Sequence, residues 1–304
     1  MPEICLLGTG GMLPLKNRFL TSLYVEQNGK ALLIDCGEGT QVAMGMHEIK
    51  MSRIEMLLIT HAHADHITGL PGLLLSIGNC SRTQPLDIYM PESCENAVKA
   101  LISVCGTLPY EVIMHTFPDN ESVTITAEKV DSMLTISTLP LRHKVKCLGY
   151  SMTFRRKPVF SPEKAKSLEV PLEYWKKLHC GESVKLSDGR TIKTDDVTDG
   201  RRDSVKITYT TDTLPFDEIA DFAENSDLFV CEGMYGSSDK KESMNEKGHM
   251  LMTDSCILAE KSKSKRLWLT HYSPAEKHPE EFEEMLKGIY ENVTISHDGI
   301  KITL

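Results

Sequence analysis

The chain has no apolar run approaching the roughly 18 to 20 residues that a membrane-spanning helix needs. It also has no basic leader. MPEICLLGTGG enters directly on a strand-like stretch, so the expected protein is soluble, cytoplasmic and free of any membrane association. CxxC spacing is missing too: the nine cysteines, at 5, 36, 80, 94, 105, 147, 180, 231 and 256, are odd in number and scattered. That pattern argues against a disulfide framework and leaves reduced packing thiols as the expectation. An excess of positive charge is lacking as well. With 34 basic and 43 acidic residues, the net charge of −9 argues against binding nucleic acid over the whole surface. No internal repeat and no disorder-scale bias are visible. The 304 residues, 40% of them hydrophobic, suffice for one large core, or for a core plus a small appendage.

What is present is an alternation of short β-rich runs with helix-like segments. ICLLG (4–8), TSLYVEQ (21–27), ALLIDCG (31–37), MLLITH (56–61) and LDIYMP (86–91) read as strands, and the stretches 92–104 and 215–223 as amphipathic helices. The second half repeats the theme with VKITYTTD (205–212), DLFVCEG (227–233) and RLWLTH (266–271), each ending in a polar residue beside a loop. The class is therefore α/β. One segment departs from it. Residues 155–202 are poor in long apolar runs and read as two short helices, near 162–168 and 171–178, and a hairpin turning at Ser187-Asp188-Gly189. This segment is expected to be an insertion into a single domain spanning 1–304. From Arg155 to Lys206 there are 13 basic and 9 acidic residues, net +4, so the remainder carries −13. A basic element on an acidic body can hold an RNA backbone, although a solvated lysine-rich surface has the same composition.

The strongest local signal is Thr60-His61-Ala62-His63-Ala64-Asp65-His66, directly after an apolar strand. Three imidazoles and a carboxylate on one loop supply nitrogen and oxygen donors suited to Zn²⁺ or a similar ion. Such density is hard to explain by packing. A site of this kind needs ligands from elsewhere, and His143, Asp212 and His271 each follow a strand, where α/β folds collect reactive groups. Asp212 is the candidate for a carboxylate bridging two cations. His47, His115, His179, His278 and His297 lack this context and are expected on surfaces or at element ends.

HAHADH has the HxHxDH form of the metallo-β-lactamase superfamily. Together with GTGGMLPLKNRFLTSLYV, LLIDCGEGTQ, ITGLPGLL, HKVKCLGY, YTTDT, LTHYS and the GES…DGRTI insertion, it resembles the ribonuclease Z family over nearly the whole chain. The resemblance implies a four-layer αββα sandwich with a small inserted arm. It implies two zinc ions per subunit, with Mn²⁺ as an alternative. One ion would take His61, His63, His143 and Asp212; the other would take Asp65, His66, Asp212 and His271. It further implies an endoribonuclease that cleaves the 3′ trailer of precursor tRNA by metal-activated water attack on a phosphodiester, with Asp65 as general base and Glu232 and His249 assisting the leaving group. The family's dimers let the arm of one subunit hold tRNA at the site of the other, so a homodimer is expected. Arg155, Arg156, Lys176 and Lys177 are the candidate phosphate contacts.

The chain departs from the family at Cys231-Glu232-Gly233-Met234, where His-Glu-Ala-Thr is usual, and at Met250-Leu251, where Ser-Thr follows the late histidine. Pro274-Ala275 replaces the familiar arginine after LTHYS, and the arm lacks a Gly-Pro repeat. Two other classes therefore stand beside the tRNA endonuclease. One is another hydrolase of the same fold, such as a small-molecule or cyclic-nucleotide phosphodiesterase. The other is a catalytically silent RNA-binding or scaffold protein.

Overall fold

A computed structural model of the protein describes residues 1–156, 158–200 and 203–304. Positions 157, 201 and 202, three of the basic residues counted in the arm, lie outside the described residues. The chain divides into two compact units, Met1–Thr153 with Val205–Leu304, and Phe154–Ser204.

The first unit contains two seven-stranded sheets among its described residues. The first sheet runs, in spatial order, Lys301–Thr303, Glu3–Gly8, Ser22–Gln27, Lys30–Ile34, Ile54–Leu58, Leu86–Pro91, Val112–Phe117. The second runs Val293–Ile295, Leu267–Thr270, Leu228–Glu232, Val205–Thr210, Leu148–Phe154, Leu134–Pro140, Thr124–Thr126. Strands such as ICLLG and ALLI are apolar at every position because both faces are covered. On one face Cys5, Leu7, Leu33, Leu57 and Ile88 pack against Leu70, Leu73, Leu74 and Ile77 of the helix Leu70–Asn79. The alternate residues Ile4, Leu6, Leu32, Ile34 and Leu58 are equally buried on the opposite face, toward the second sheet. The outer face of that sheet packs Phe229, Cys231, Leu267 and Leu269 against Ile219, Cys256, Ala259 and Leu286 of three further helices. The result is the four-layer αββα sandwich.

Several expected strands stop early at the functional end, two of them in the first sheet. The strand expected over 31–37 ends at Ile34, because Asp35 takes a left-handed backbone (φ 59°) that turns the chain. The strand expected over 56–61 ends at Leu58, and Thr60 and His61 belong to the loop. The stretch 92–104 starts as a 3₁₀ turn at Glu92–Cys94 before the helix Glu95–Ser103.

The second unit is built from the elements that its composition suggests. Helices Pro162–Ser167 and Leu172–His179 and the hairpin Val184–Lys185 with Thr191–Ile192 surround a small core of Ala165, Val170, Leu178, Val184, Leu186, Ile192 and Val197. At the hairpin tip Gly189 has φ 88°, the left-handed conformation that the Asp-Gly turn requires.

The two sheets are tied at the functional end by Tyr150, whose buried hydroxyl donates to the Ile59 carbonyl (2.5 Å). Removing a buried donor strands its acceptor, which costs about 1 to 3 kcal/mol. Tyr150→Phe is therefore expected to lower the unfolding free energy by about 1 to 3 kcal/mol, read as a lower urea midpoint at unchanged m-value; an unaltered midpoint would show that the bond contributes nothing.

Candidate metal centre

The three parallel strands Val205–Thr210, Leu228–Glu232 and Leu267–Thr270 lie side by side, so their carboxyl ends deliver Asp212, Glu232 and His271 to one edge. The HAHADH loop meets them there from the first sheet. His63 is extended (ψ 150°), and the single turn Ala64–Ile67 that follows carries Asp65 and His66. His143 arrives from the loop after Leu134–Pro140. The donor atoms form two main groups, His61, His63, His143 and Asp212, and Asp65, His66 and His271, with the atoms in each within 4.8 Å of one another. All seven ligand candidates read from the sequence therefore converge on one place.

Asp212 stands between the groups. Its Oδ2 is 3.6 Å from His61 Nε2 and 3.7 Å from His143 Nε2, while Oδ1 is 3.3 Å from His66 Nε2 and 3.2 Å from His271 Nε2. Burial opposes the charge on this carboxyl, but His271, His66 and His61 overcome that and hold it well below the usual carboxylate range. Asp65 Oδ2 is 3.4 Å from His271 Nε2 and accepts the Met12 N–H (2.6 Å). Its pKa is also depressed: burial acts upward, and the imidazoles of His271 and His66 outweigh it.

The outer nitrogens of three imidazoles are already committed. His66 Nδ1 lies 2.8 Å from Asp35 Oδ2, an acceptor only, so it carries a proton, and Nε2 is turned toward the centre. Thr60 donates its hydroxyl to the same carboxylate (2.8 Å) and so accepts from His61 Nδ1 (3.0 Å); burial keeps this imidazole neutral, which leaves its Nε2 bare. His143 Nδ1 donates to the Gly248 carbonyl (2.8 Å). Ring nitrogens from different elements thus meet at the centre: His143 Nε2 is 3.3 Å from His63 Nδ1, and His66 Nε2 is 3.2 Å from His271 Nε2. His61 Nε2, fully buried, has no hydrogen-bond partner. Imidazole nitrogens and carboxylate oxygens converge here from separate elements, and the donor set fits a divalent metal ion.

Sequence reasoning missed the residues that hold this arrangement. Asp35 and Thr60 fix two tautomers. Gly11 lies against the His271 ring, where an added Cβ would be 2.6 Å from Cε1. Asp35, Met12 (φ 67°) and His271 (φ 60°) all adopt left-handed backbone, which costs non-glycine residues about 1 to 3 kcal/mol and is tolerated where the surroundings demand it. The rule that drew attention to His143, Asp212 and His271, a polar residue ending a strand, applies equally to Asp35.

Glu232 and His249 form a pair beside the centre. Glu232 is fully buried; its Oε2 is 2.9 Å from His249 Nδ1, its Oε1 accepts the Thr213 N–H, and Ser255 donates to its main-chain carbonyl. Burial disfavours the His249 cation, yet the Glu232 carboxylate raises its pKa to about 9. His249 can also be grouped with Asp212 and His271 as a ligand set, but its Nδ1 is engaged by Glu232. Arg155, Lys176 and Lys177 are exposed and Arg156 half-buried in the second unit, whereas the cluster is made wholly from the first. His47, His179, His278 and His297 lie outside the cluster. His115 does too, but it is not at an element end: it sits half-buried within Val112–Phe117, stacked on Tyr89 at 4.3 Å and 3.2 Å from Asp87.

Similar proteins locate this centre in a family. The chain is 43% identical to ribonuclease Z of Clostridium acetobutylicum over 98% of its length and 96% of that protein. It is 40% identical to ribonuclease Z of Clostridioides difficile over 100% of its length and 99% of that protein. The chain belongs to the ribonuclease Z family. A family model described as Anti-Pycsar protein Apyc1 matches residues 2–180, a span that holds the HAHADH loop but stops before Asp212, Glu232, His249 and His271. Human tRNase Z, short form, superposes with a TM-score of 0.70 at 21% identity, covering 99% of this chain and 98% of that one. The metallo-β-lactamase fold protein YhfI from Bacillus subtilis gives 0.69 at 18%, covering 99% and 98%. At these identities the two structures speak for the fold alone. Against the ribonuclease Z pattern, the departures at 231–234 and 250–251 prove to be packed on one another. Cys231 Sγ is 3.9 Å from Met250 Sδ, and Met234 and Leu251 share a small apolar cluster with Met244.

Partners that orient metal ligands typically contribute 10- to 100-fold to metal affinity. Asp35→Asn, which removes the acceptor shared by His66 and Thr60, is expected to weaken metal retention by about that factor in chelator competition. Retention equal to that of the unaltered chain would remove Asp35 from this role.

Proposed function

We propose that this protein is a metal-dependent endoribonuclease that removes the 3′ trailer of precursor tRNA, using two zinc ions, with manganese as the alternative. The observation that carries the proposal is the juxtaposition of the seven-residue donor cluster with the Glu232–His249 pair in a chain of the ribonuclease Z family. Ions held by His61, His63, His143 and Asp212, and by Asp65, His66, Asp212 and His271, would supply Lewis acidity toward the phosphodiester and toward water.

The protein's own groups divide the proton work. Asp65, kept ionised and oriented by the Met12 N–H, is the base that accepts the proton of the attacking water. His249, whose Nδ1 is tied to Glu232, presents Nε2 to the departing 3′ oxygen and is charged at neutral pH, as a general acid must be. The products are a tRNA ending in a 3′ hydroxyl and a trailer beginning with a 5′ phosphate. The cations of the arm, Arg155, Arg156, Lys176 and Lys177, serve as contacts to tRNA phosphates.

A homodimer is part of the same proposal. Val42 and Met46, one turn apart on Thr40–Met46, and Leu75 on Leu70–Asn79 are 51%, 66% and 45% exposed, and Gln41 lies against Gly72 between these helices. An apolar face of this kind suits a second copy. A cytoplasmic location belongs to the same proposal; no helix among the described residues is long and apolar enough to cross a membrane.

The decisive experiment is to incubate the zinc-loaded protein with a 3′-extended precursor and map both ends. Cleavage beside the discriminator base is expected; hydrolysis of bis-p-nitrophenyl phosphate without any precursor cut would replace the proposal with a small-diester phosphodiesterase. Asp65→Ala is expected to abolish turnover, and a near-normal rate would reassign the base. His249→Ala should lower kcat by about 100-fold or more, the usual contribution of a general acid, while leaving the affinity for RNA within a few-fold. Lys176→Ala with Lys177→Ala should weaken precursor binding and reduce the slope of log K against log salt by about one to two. An unchanged slope would take these lysines out of the interface.

A further inference from the structure

Outside the arm the chain is strongly acidic, yet Arg142-His143-Lys144-Val145-Lys146 carries three cations and no anion around a residue of the metal centre. The backbone of this loop touches a second one. His143 Nδ1 donates to the Gly248 carbonyl, and a Cβ on Gly248, which has φ 78°, would stand 3.3 Å from both His143 Cα and the Lys144 nitrogen. Lys144 and Lys247 therefore flank one contact, with His249 one residue beyond Gly248 and its ring 5.0 Å from that of His143.

The neighbouring cations are occupied. Arg142 lies 4.3 Å over the Phe216 ring and 3.4 Å from Glu218, and Lys146 donates to Asn120 (2.7 Å). Lys144 and Lys247 are exposed, and among the described residues neither ammonium has an ion-pair partner. Two exposed cations without an ion-pair partner, on the loops that carry His143 and His249, can hold an anion on that side of the centre.

We propose that Lys144 and Lys247 bind the RNA phosphate immediately 5′ of the scissile one, fixing the polarity of the strand across the centre. The proposal rests on the functional reading above. In an in-line displacement the leaving oxygen departs opposite the attacking water. His249 protonates that oxygen, which is the 3′ oxygen of the upstream nucleotide, so the upstream nucleotide occupies the His249 side. The phosphate on its own 5′ side then reaches the contact that Lys144 and Lys247 flank. The trailer extends the other way, so the lysines hold the 3′-hydroxyl product and not the trailer.

The test uses the zinc-loaded enzyme and two labelled RNAs, an acceptor-stem RNA ending in a 3′ hydroxyl and a 5′-phosphorylated trailer. Lys144→Ala with Lys247→Ala is expected to weaken the acceptor-stem RNA by about tenfold and reduce its salt slope by about one to two, with the trailer bound as before. Lys144→Arg with Lys247→Arg should restore binding, which a purely structural defect would not allow. In cleavage assays a neutral methylphosphonate at the phosphate one nucleotide upstream should raise KM for the unaltered enzyme and add little in the double alanine variant. Equal methylphosphonate penalties in the two enzymes, or a greater loss for the trailer than for the acceptor stem, would overturn the assignment. An unaltered enzyme that hydrolyses bis-p-nitrophenyl phosphate but cuts no precursor would instead overturn the functional reading itself.

Discussion

A buried carboxylate ringed by imidazoles is the constraint on which the rest of the functional end depends. Asp212 is 2% exposed, and removing its charge from water is costly unless partners compensate. Its partners come from three parts of the chain: the HAHADH loop, the loop at His143 and the strand end at His271. No single element can assemble them. The second sheet fixes Asp212 and His271 through parallel pairing, and the first sheet must bring its loop into register with them. Two of the bonds that cross between the sheets sit at this end. Tyr150 donates to the carbonyl of Ile59, and the Leu148 N–H donates to that of Thr60, so the residues just before His61 are anchored to the opposite sheet. Sandwich closure and assembly of the centre are thus one event in packing terms.

The sequence made the ligands legible because their chemistry is concentrated and their placement recurs. Three histidines and an aspartate within six residues have no packing explanation, and His143, Asp212 and His271 share the end of a strand. The supporting groups were not legible for a physical reason. Asp35 acts on residues 25 and 31 positions away, so its role exists only once the strands Lys30–Ile34 and Ile54–Leu58 pair in parallel. Gly11 matters because it touches a residue 260 positions later, and nothing local marks it. Glu232 and His249 were reached through family resemblance and not through spacing, since each alone is an ordinary polar residue. The arm's helices and hairpin could be read from local turn and periodicity signals, whereas its small apolar core depends on contacts that no local pattern shows.

The departures from the family pattern look less disruptive in three dimensions than along the chain. Replacing a histidine by Cys231 and a serine by Met250 would leave two poor substitutes if they faced solvent or substrate. Both are instead buried against each other, with Thr210 donating to the cysteine sulfur at 3.3 Å. The same holds one step further out for Met234 and Leu251. Polar groups exchanged together for apolar ones leave no stranded hydrogen-bond partner, the arrangement under which such a swap costs little. The Glu232–His249 pair stands between these positions, with Oε2 2.9 Å from Nδ1. The altered stretches therefore read as a repacked apolar wall beside the Glu232–His249 pair, and they do not by themselves argue for a different reaction.

An acidic protein that acts on RNA poses an electrostatic problem that charge placement resolves. Exposed charges more than about 8 to 10 Å from a phosphate are largely screened at physiological ionic strength, so the body's net −13 repels RNA only where the two come into contact. Sequence-independent affinity grows with the number of phosphates neutralised, and a uniformly basic surface would bind any RNA. An acidic body interrupted by separate basic positions gives an RNA that meets only one of them few contacts to outweigh local repulsion. An RNA that engages several of them at once gains their affinities together, in the manner of a bivalent ligand. On this view the acidity is a selectivity device. It lowers the affinity for every RNA and leaves the largest net gain to the one whose shape satisfies the scattered cations.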